Sequence, residues 1–115
     1  MPRIDKTLFE KIIDREIPAE IVHEDETCVA FRDINPQAPL HVLIVPRKVI
    51  EKLGDMTEGD EAVVGHMMRI AGDIARAEGF NDFRAVFNSG AGAGQEVFHL
   101  HLHVLAGRPF TWPPG

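Results

Sequence analysis

Near the C-terminal end, His99-Leu100-His101-Leu102-His103-Val104-Leu105 alternates imidazole with aliphatic side chains. Period two is the repeat of a β-strand, whose successive side chains point to opposite faces. The run therefore predicts a strand with His99, His101 and His103 on one face and Phe98, Leu100, Leu102 and Val104 on the other, core-facing one. A satisfied core histidine usually stands alone. Three on one face point to a functional surface, because functional polar groups cluster.

Two chemistries suit such a face. Imidazole is the commonest metal ligand, and a His-x-His pair on a strand can chelate zinc. A rise of about 3.3 Å per residue separates His99 from His103 by about 13 Å at Cα, so all three cannot share an ion with metal–nitrogen bonds of about 2 Å. His41, on another predicted strand, could join one pair, although no companion Cys or carboxylate set is evident beside it. The alternative is covalent catalysis at phosphorus. Neutral imidazole is a nucleophile near pH 7, and flanking histidines can bind phosphate oxygens and fix the tautomer of the attacking ring. The middle ring, His101, is the natural nucleophile.

The remaining pattern places this strand last in an α+β order. Thr7 to Ile17 carries Leu8, Phe9, Ile12 and Ile13 on one helical stripe, with Thr7 as N-cap and Pro18 as stop. Strands are predicted at Glu20–Glu24, Cys28–Arg32, Leu40–Val45, Phe83–Asn88 and Glu96–Ala106. A long helix over Thr57–Glu78 is marked by Val63, Met67, Ile70, Ile74 and Ala77 and stopped by Gly79. Its further apolar positions Val64, Met68 and Ala71 exceed what one sheet face covers and suggest a twofold partner. Consecutive strands with two helices favour an antiparallel sheet, since parallel pairing needs more crossover helices. Residues 1–115 read as one domain with an irregular tail over 107–115.

Composition narrows the partners. Twelve Lys and Arg against eighteen Asp and Glu give a net charge of −6, which disfavours sequence-independent nucleic-acid binding. An anionic ligand must then be met locally, in a small enclosed site. The single cysteine, Cys28, excludes an intramolecular disulfide framework and an all-Cys zinc site. With no apolar run of membrane-spanning length and a charged N-terminal stretch, the expectation is a cytoplasmic protein with no membrane partner.

The histidine run matches the His-φ-His-φ-His-φ-φ signature of the histidine triad (HIT) superfamily. Phe31-Arg32-Asp33-Ile34-Asn35-Pro36-Gln37-Ala38-Pro39-Leu40-His41, Gly94-Gln95-Glu96-Val97 and Trp112-Pro113-Pro114-Gly115 extend the match. Over nearly the whole chain the sequence resembles the branch called histidine triad nucleotide-binding proteins. That resemblance implies a five-stranded α+β protomer that dimerises into a continuous larger sheet. It also implies hydrolysis of purine nucleoside 5′-phosphoramidates through a nucleotidyl-histidine, releasing AMP or GMP and an amine without a metal or other cofactor.

Carried over by position, the resemblance makes His101 the nucleophile, places His99 and His41 in the adjoining hydrogen-bonded network, and sets His103 on the phosphate. Asp33 takes the ribose, although an Asp before Asn35-Pro36 is otherwise a turn cap. Phe9, Ile12, Phe31, Ile34 and Leu43 form the base pocket. Asn88, Gly94, Gln95, Glu96 and Val97 supply phosphate or ribose contacts, with Glu96 standing where relatives carry a hydroxyl. Trp112 reaches the leaving group of the partner chain. The Gly-rich stretch Asn88–Gln95 lacks the Gly-Lys-Ser/Thr ending of a P-loop.

His23 and His66 read as isolated structural or surface residues, and Arg47-Lys48 as a solvated basic pair. Two other functions are alternatives: a nucleotide-binding adaptor with vestigial turnover, and a dinucleotide polyphosphate hydrolase of the same superfamily, which the terminal Trp112-Pro113-Pro114-Gly115 disfavours.

Overall fold

A computed structural model describes residues 5–115. Five strands, β1 (Ile21–Glu24), β2 (Cys28–Arg32), β3 (Leu40–Pro46), β4 (Arg84–Val86) and β5 (Leu102–Ala106), form one sheet. Their order is β1-β2-β3-β5-β4 and every pairing is antiparallel. Helix α1 (Leu8–Ile13) precedes the sheet and α2 (Glu61–Ala77) lies between β3 and β4. The α+β expectation holds.

Helix α1 is shorter than its apolar stripe predicts. A Thr7–Glu10 capping box opens it, and it closes at Arg15, a non-glycine residue at φ 65°. There the Arg15 N–H donates to the Ile12 carbonyl and the Glu16 N–H to the Lys11 carbonyl, satisfying the last carbonyls before the chain reaches Pro18. Helix α2 likewise starts late, because the Thr57–Asp60 capping box closes a 3₁₀ turn over Glu58–Asp60 instead of the first α-turn. Gly79, at φ +92°, ends it as expected, with Phe80 N–H donating to the Ala75 carbonyl.

Helix α2 covers one sheet face. Met67, Ile70, Ala71, Ile74 and Ala75 pack on Cys28, Ala30, Val42, Ile44, Leu102 and Val104. Val64 packs instead with Ile50 and Leu100. Of the apolar surplus assigned to the helix, Val64 and Ala71 are thus buried within the chain, and only Met68 is exposed. Ala77, placed on the buried stripe by its spacing, is exposed at the last turn. On the other face, α1 lays Phe9 and Ile12 over Val29, Phe31, Leu43 and Val45. No helix among the described residues is long and apolar enough to cross a membrane.

Strand β5 is the main departure. The histidine run predicts pairing from Glu96, yet the strand begins at Leu102. Pro46 ends the opposing ladder: it has no N–H to donate, and its carbonyl is taken by the His99 ring at 2.7 Å. The Leu100 N–H donates instead to the Ile50 carbonyl, 2.6 Å away, beyond the end of β3. Residues 97–99 therefore form a bend, Phe98 is exposed instead of core, and both Leu100 and its histidine neighbours are buried. Strand β4 also falls short of Phe83–Asn88, and Phe83 is exposed.

Candidate active site

The sheet face under α1 brings the histidines together. Leu43 of β3 stands opposite His103 of β5 in the antiparallel register, and His41 lies two residues from Leu43 on the same face. The rings of His41 and His103 have centroids 5.2 Å apart, and those of His103 and His101 5.1 Å. Phe9 continues the row, 4.9 Å from His101 and 5.9 Å from His99. The bend at 97–99 thus keeps the clustering that strand alternation predicts, by another route.

Hydrogen bonds fix each tautomer. The His101 Nδ1 lies 2.8 Å from the His99 carbonyl, which can only accept, so Nδ1 carries the proton and Nε2 holds the lone pair of the neutral ring. His99 Nε2–H donates to the Pro46 carbonyl, which leaves Nδ1 to accept from the Thr7 hydroxyl at 2.7 Å. His41 Nδ1 accepts from the Gln37 N–H at 3.0 Å, so its Nε2–H donates to His103 Nδ1, also at 3.0 Å. The proton of His103 then sits on Nε2. Neighbouring rings consequently present opposite roles, a lone pair on His101 Nε2 and a donor on His103 Nε2.

Burial favours the neutral forms of His41, His101 and His103. It lowers His101 below the ordinary histidine value against the opposing effects of the His99 carbonyl and Asp33. Burial, helped by repulsion from His101 and His41, pushes His103 down to about 4. His41 is also lowered by burial, opposed by the Asp33 carboxylate 3.4 Å from its Nε2. Asp33, His41 and His103 each offer a ligand atom, all within 4.8 Å of one another, so this corner could also hold a metal ion.

A cavity of about 740 Å³ opens beside this row. Phe9, Ile12, Phe31, Asp33, Ile34 and Leu43, the six residues expected around a nucleoside, all line it. Ile34 is wholly exposed at its rim. Asp33 also caps its turn, with Oδ1 accepting from the Asn35 N–H at 2.8 Å, so the turn-capping role is present in the structure. Glu20 and Arg32, which the pattern does not single out, reach the same cavity as an ion pair of 2.7 Å.

In the loop preceding the histidines, the Gln95 side chain behaves differently from expectation. Gln95 is buried and its amide is engaged: Oε1 accepts from Gly90 N–H, while Nε2 donates to the Glu51 and Val97 carbonyls. It is a brace for the loop and has no donor to spare for phosphate or ribose. Gly90 and Gly94 take φ values of +94° and +93°, which glycine adopts without strain. Asn88 is half-buried near Gly94, Glu96 is exposed, and Val97 packs on the α1-side core; like His41, His99, His101 and His103, they lie outside the cavity's lining.

Trp112 is 84% exposed and so does not pack on its own domain. The tail is anchored through Phe110, which lies beneath the Arg84 and Arg108 guanidinium groups, and through the Arg84–Thr111 carbonyl bond. Arg47 and Lys48 are not merely solvated, since Arg47 binds Glu24 and the Asp25 carbonyl and Lys48 binds Asp60.

The HIT domain family profile matches residues 14–110. The chain belongs to the HIT family. It is 55% identical over 112 residues to an uncharacterized HIT-like protein of Synechocystis, covering 96% of this chain and 98% of that one. It is 46% identical to a 14 kDa zinc-binding protein of Zea mays, over 95% and 88% of the two chains. Among solved structures, a HIT family hydrolase from Legionella pneumophila superposes with a TM-score of 0.92 at 48% identity, covering 96% of this chain and all of that one. A histidine triad protein from Clostridium difficile gives 0.89 at 42% identity, with coverage of 96% and 97%.

Sequence reasoning did not foresee the second role of Thr7. Its N-cap signal is local, whereas its contact with His99 spans 92 residues.

Proposed function

We propose that this HIT family member is a hydrolase of purine nucleoside 5′-phosphoramidates, of the histidine triad nucleotide-binding branch. The observation that carries the reading is the opposed tautomer pair: a buried nucleophilic nitrogen on His101 beside a donor on His103. The Legionella relative's description as a hydrolase supports the reaction class.

In this reading the base enters the apolar cavity and the ribose hydroxyls bond to Asp33, which retains acceptor capacity beyond its turn contact. His101 Nε2 attacks phosphorus. A phosphorus–nitrogen bond to His101 forms, the bond to the amine breaks, and its electron pair leaves with the amine, which takes up a proton from solvent. His103 Nε2–H donates to a phosphate oxygen as charge develops there. Water then attacks phosphorus and gives up a proton to solvent, the bond to His101 breaks with its electron pair returning to Nε2, and AMP or GMP departs with neutral His101 restored. His99 acts at one remove, since its ring, held by Thr7 and Pro46, fixes the carbonyl that sets the His101 tautomer.

The dimer belongs to the same proposal. β4 is an edge strand of the sheet, and Trp112 is exposed on a tail anchored beside it. A second copy would extend the sheet at β4 and bring Trp112 to the leaving group in its partner.

Steady-state assay of adenosine 5′-phosphoramidate, with and without EDTA, tests the proposal. Turnover unaffected by the chelator is expected. Tight retention of AMP with no turnover would favour the adaptor function, and turnover abolished by EDTA and restored by zinc would favour metal chemistry at Asp33, His41 and His103.

A further inference from the structure

The two histidines that the pattern leaves isolated meet at one oxygen. His23 Nε2 on β1 lies 2.6 Å from Asp25 Oδ2, and His66 Nε2 on α2 lies 2.7 Å from the same atom. Cys28 Sγ, at the start of β2, is 3.6 Å from it. Ligand atoms of His23, Asp25 and Cys28 all lie within 4.8 Å of one another. This group occupies the α2 side of the sheet, where Cys28 joins the main core, whereas the histidine row occupies the α1 side.

We propose that His23, Asp25, Cys28 and His66 form a four-ligand site for a divalent transition-metal ion of the zinc class, separate from the catalytic histidines. The donor set of two imidazoles, one carboxylate and one thiolate is that of a closed tetrahedral site. Tetrahedral zinc places a carboxylate oxygen and a sulfur about 3.5 Å apart, and the Asp25–Cys28 contact is already 3.6 Å. Oxygen–nitrogen edges of such a site are about 3.3 Å, so each imidazole must withdraw from Asp25 by roughly 0.6 Å, and His66, which lies outside the 4.8 Å group formed by the other three, must also turn toward His23 and Cys28. Both can, because the His23 and His66 side chains are 28% and 27% exposed.

Without the metal, protons bridge the cluster. Each imidazole donates Nε2–H to Asp25, and Oδ1 accepts from the Thr27 and Cys28 N–H groups, which fixes the carboxylate in place. On binding, both rings shift to the Nδ1–H tautomer and present Nε2 lone pairs, while the Cys28 proton passes to solvent. Because the metal displaces the Cys28 thiol proton, the affinity rises with pH. The bound ion would tie the β1–β2 hairpin to α2.

The test is titration of the full chain, stripped with EDTA, with Zn²⁺ by calorimetry and with Co²⁺ by absorption. We expect one ion per chain, a thiolate-to-cobalt charge-transfer band, a higher melting temperature with Zn²⁺, and unchanged phosphoramidate turnover in His66→Asn. Binding should weaken at least tenfold in His23→Asn and His66→Asn, lose its thiolate band in Cys28→Ser, and persist in His103→Ala. Should a histidine variant fail to melt cooperatively in EDTA, the Cys28→Ser spectrum and the His103→Ala titration decide alone. No binding, no thiolate band, binding unchanged in a folded His66→Asn, or binding lost in His103→Ala would each overturn the proposal.

Discussion

The Nδ1–H of His101 donates to the carbonyl of His99, two residues earlier, at 2.8 Å. A local backbone acceptor thus sets the tautomer of the proposed nucleophile, and no carboxylate is needed to orient it. The His99 ring is itself held at both nitrogens, by the Pro46 carbonyl and the Thr7 hydroxyl. First helix, end of β3 and histidine bend are therefore coupled.

The pH profile follows from burial. Attack needs neutral His101, whose pKa lies below the ordinary 6.5. Activity is retained as pH falls past 6.5 and is lost only nearer the depressed value. The acid limb of kcat/KM should be centred below 6.5; a limb at or above it would contradict the buried, neutral ring. Stability has the same sign. Unfolded His103 takes up its proton near 6.5 and the folded ring near 4, so its contribution declines as pH drops between those values. Replacing it in His103→Asn should flatten that part of the melting-temperature curve.

Thr7→Val should lower stability by about 2 kcal/mol, combining loss of an N-cap with loss of a hydroxyl partner to a buried ring. Thr7→Ser should recover most of it. Urea denaturation of both variants is the check, and a Val variant within about 0.5 kcal/mol of wild type would show that Thr7 supports neither.

Some of this was legible in the sequence. Strand and helix order, the Gly79 stop and the six cavity residues follow from periodicity, punctuation and family resemblance, because each depends on local pattern or recognisable motif. The strand start at Leu102 was not legible, since it depends on Pro46 and Ile50 competing for the backbone and rings of residues 99 and 100. Gln95 misled for a related reason: a donor in a Gly-rich loop suggests a phosphate, while its three partners, Gly90, Glu51 and Val97, are chosen by tertiary packing. His23 and His66 appeared isolated because 43 residues separate them in sequence, although Asp25 joins them in space.

Asp33→Asn preserves an acceptor for the Asn35 N–H, so the turn should survive. Steady-state kinetics should show KM rising more than kcat falls, with a smaller penalty for a 2′-deoxy substrate. Equal losses on ribose and deoxyribose substrates would leave Asp33 with its turn-capping role alone.

Trp112→Ala should leave a dimer by light scattering, yet change kcat/KM more for phosphoramidates with bulky amines than for small ones. Uniform effects across the series would remove Trp112 from the leaving-group site, and a monomeric wild type would remove the dimer.

The most direct measurement is rapid-quench mass spectrometry with adenosine 5′-phosphoramidate. Wild type should carry one adenylyl group on His101 before the steady state, and His101→Ala should bind AMP yet form no adduct and turn over at least 10³-fold more slowly, an order of magnitude taken from loss of a covalent nucleophile. An adduct on another residue, or a His101→Ala enzyme within about tenfold of wild type, would contradict nucleophilic catalysis by His101.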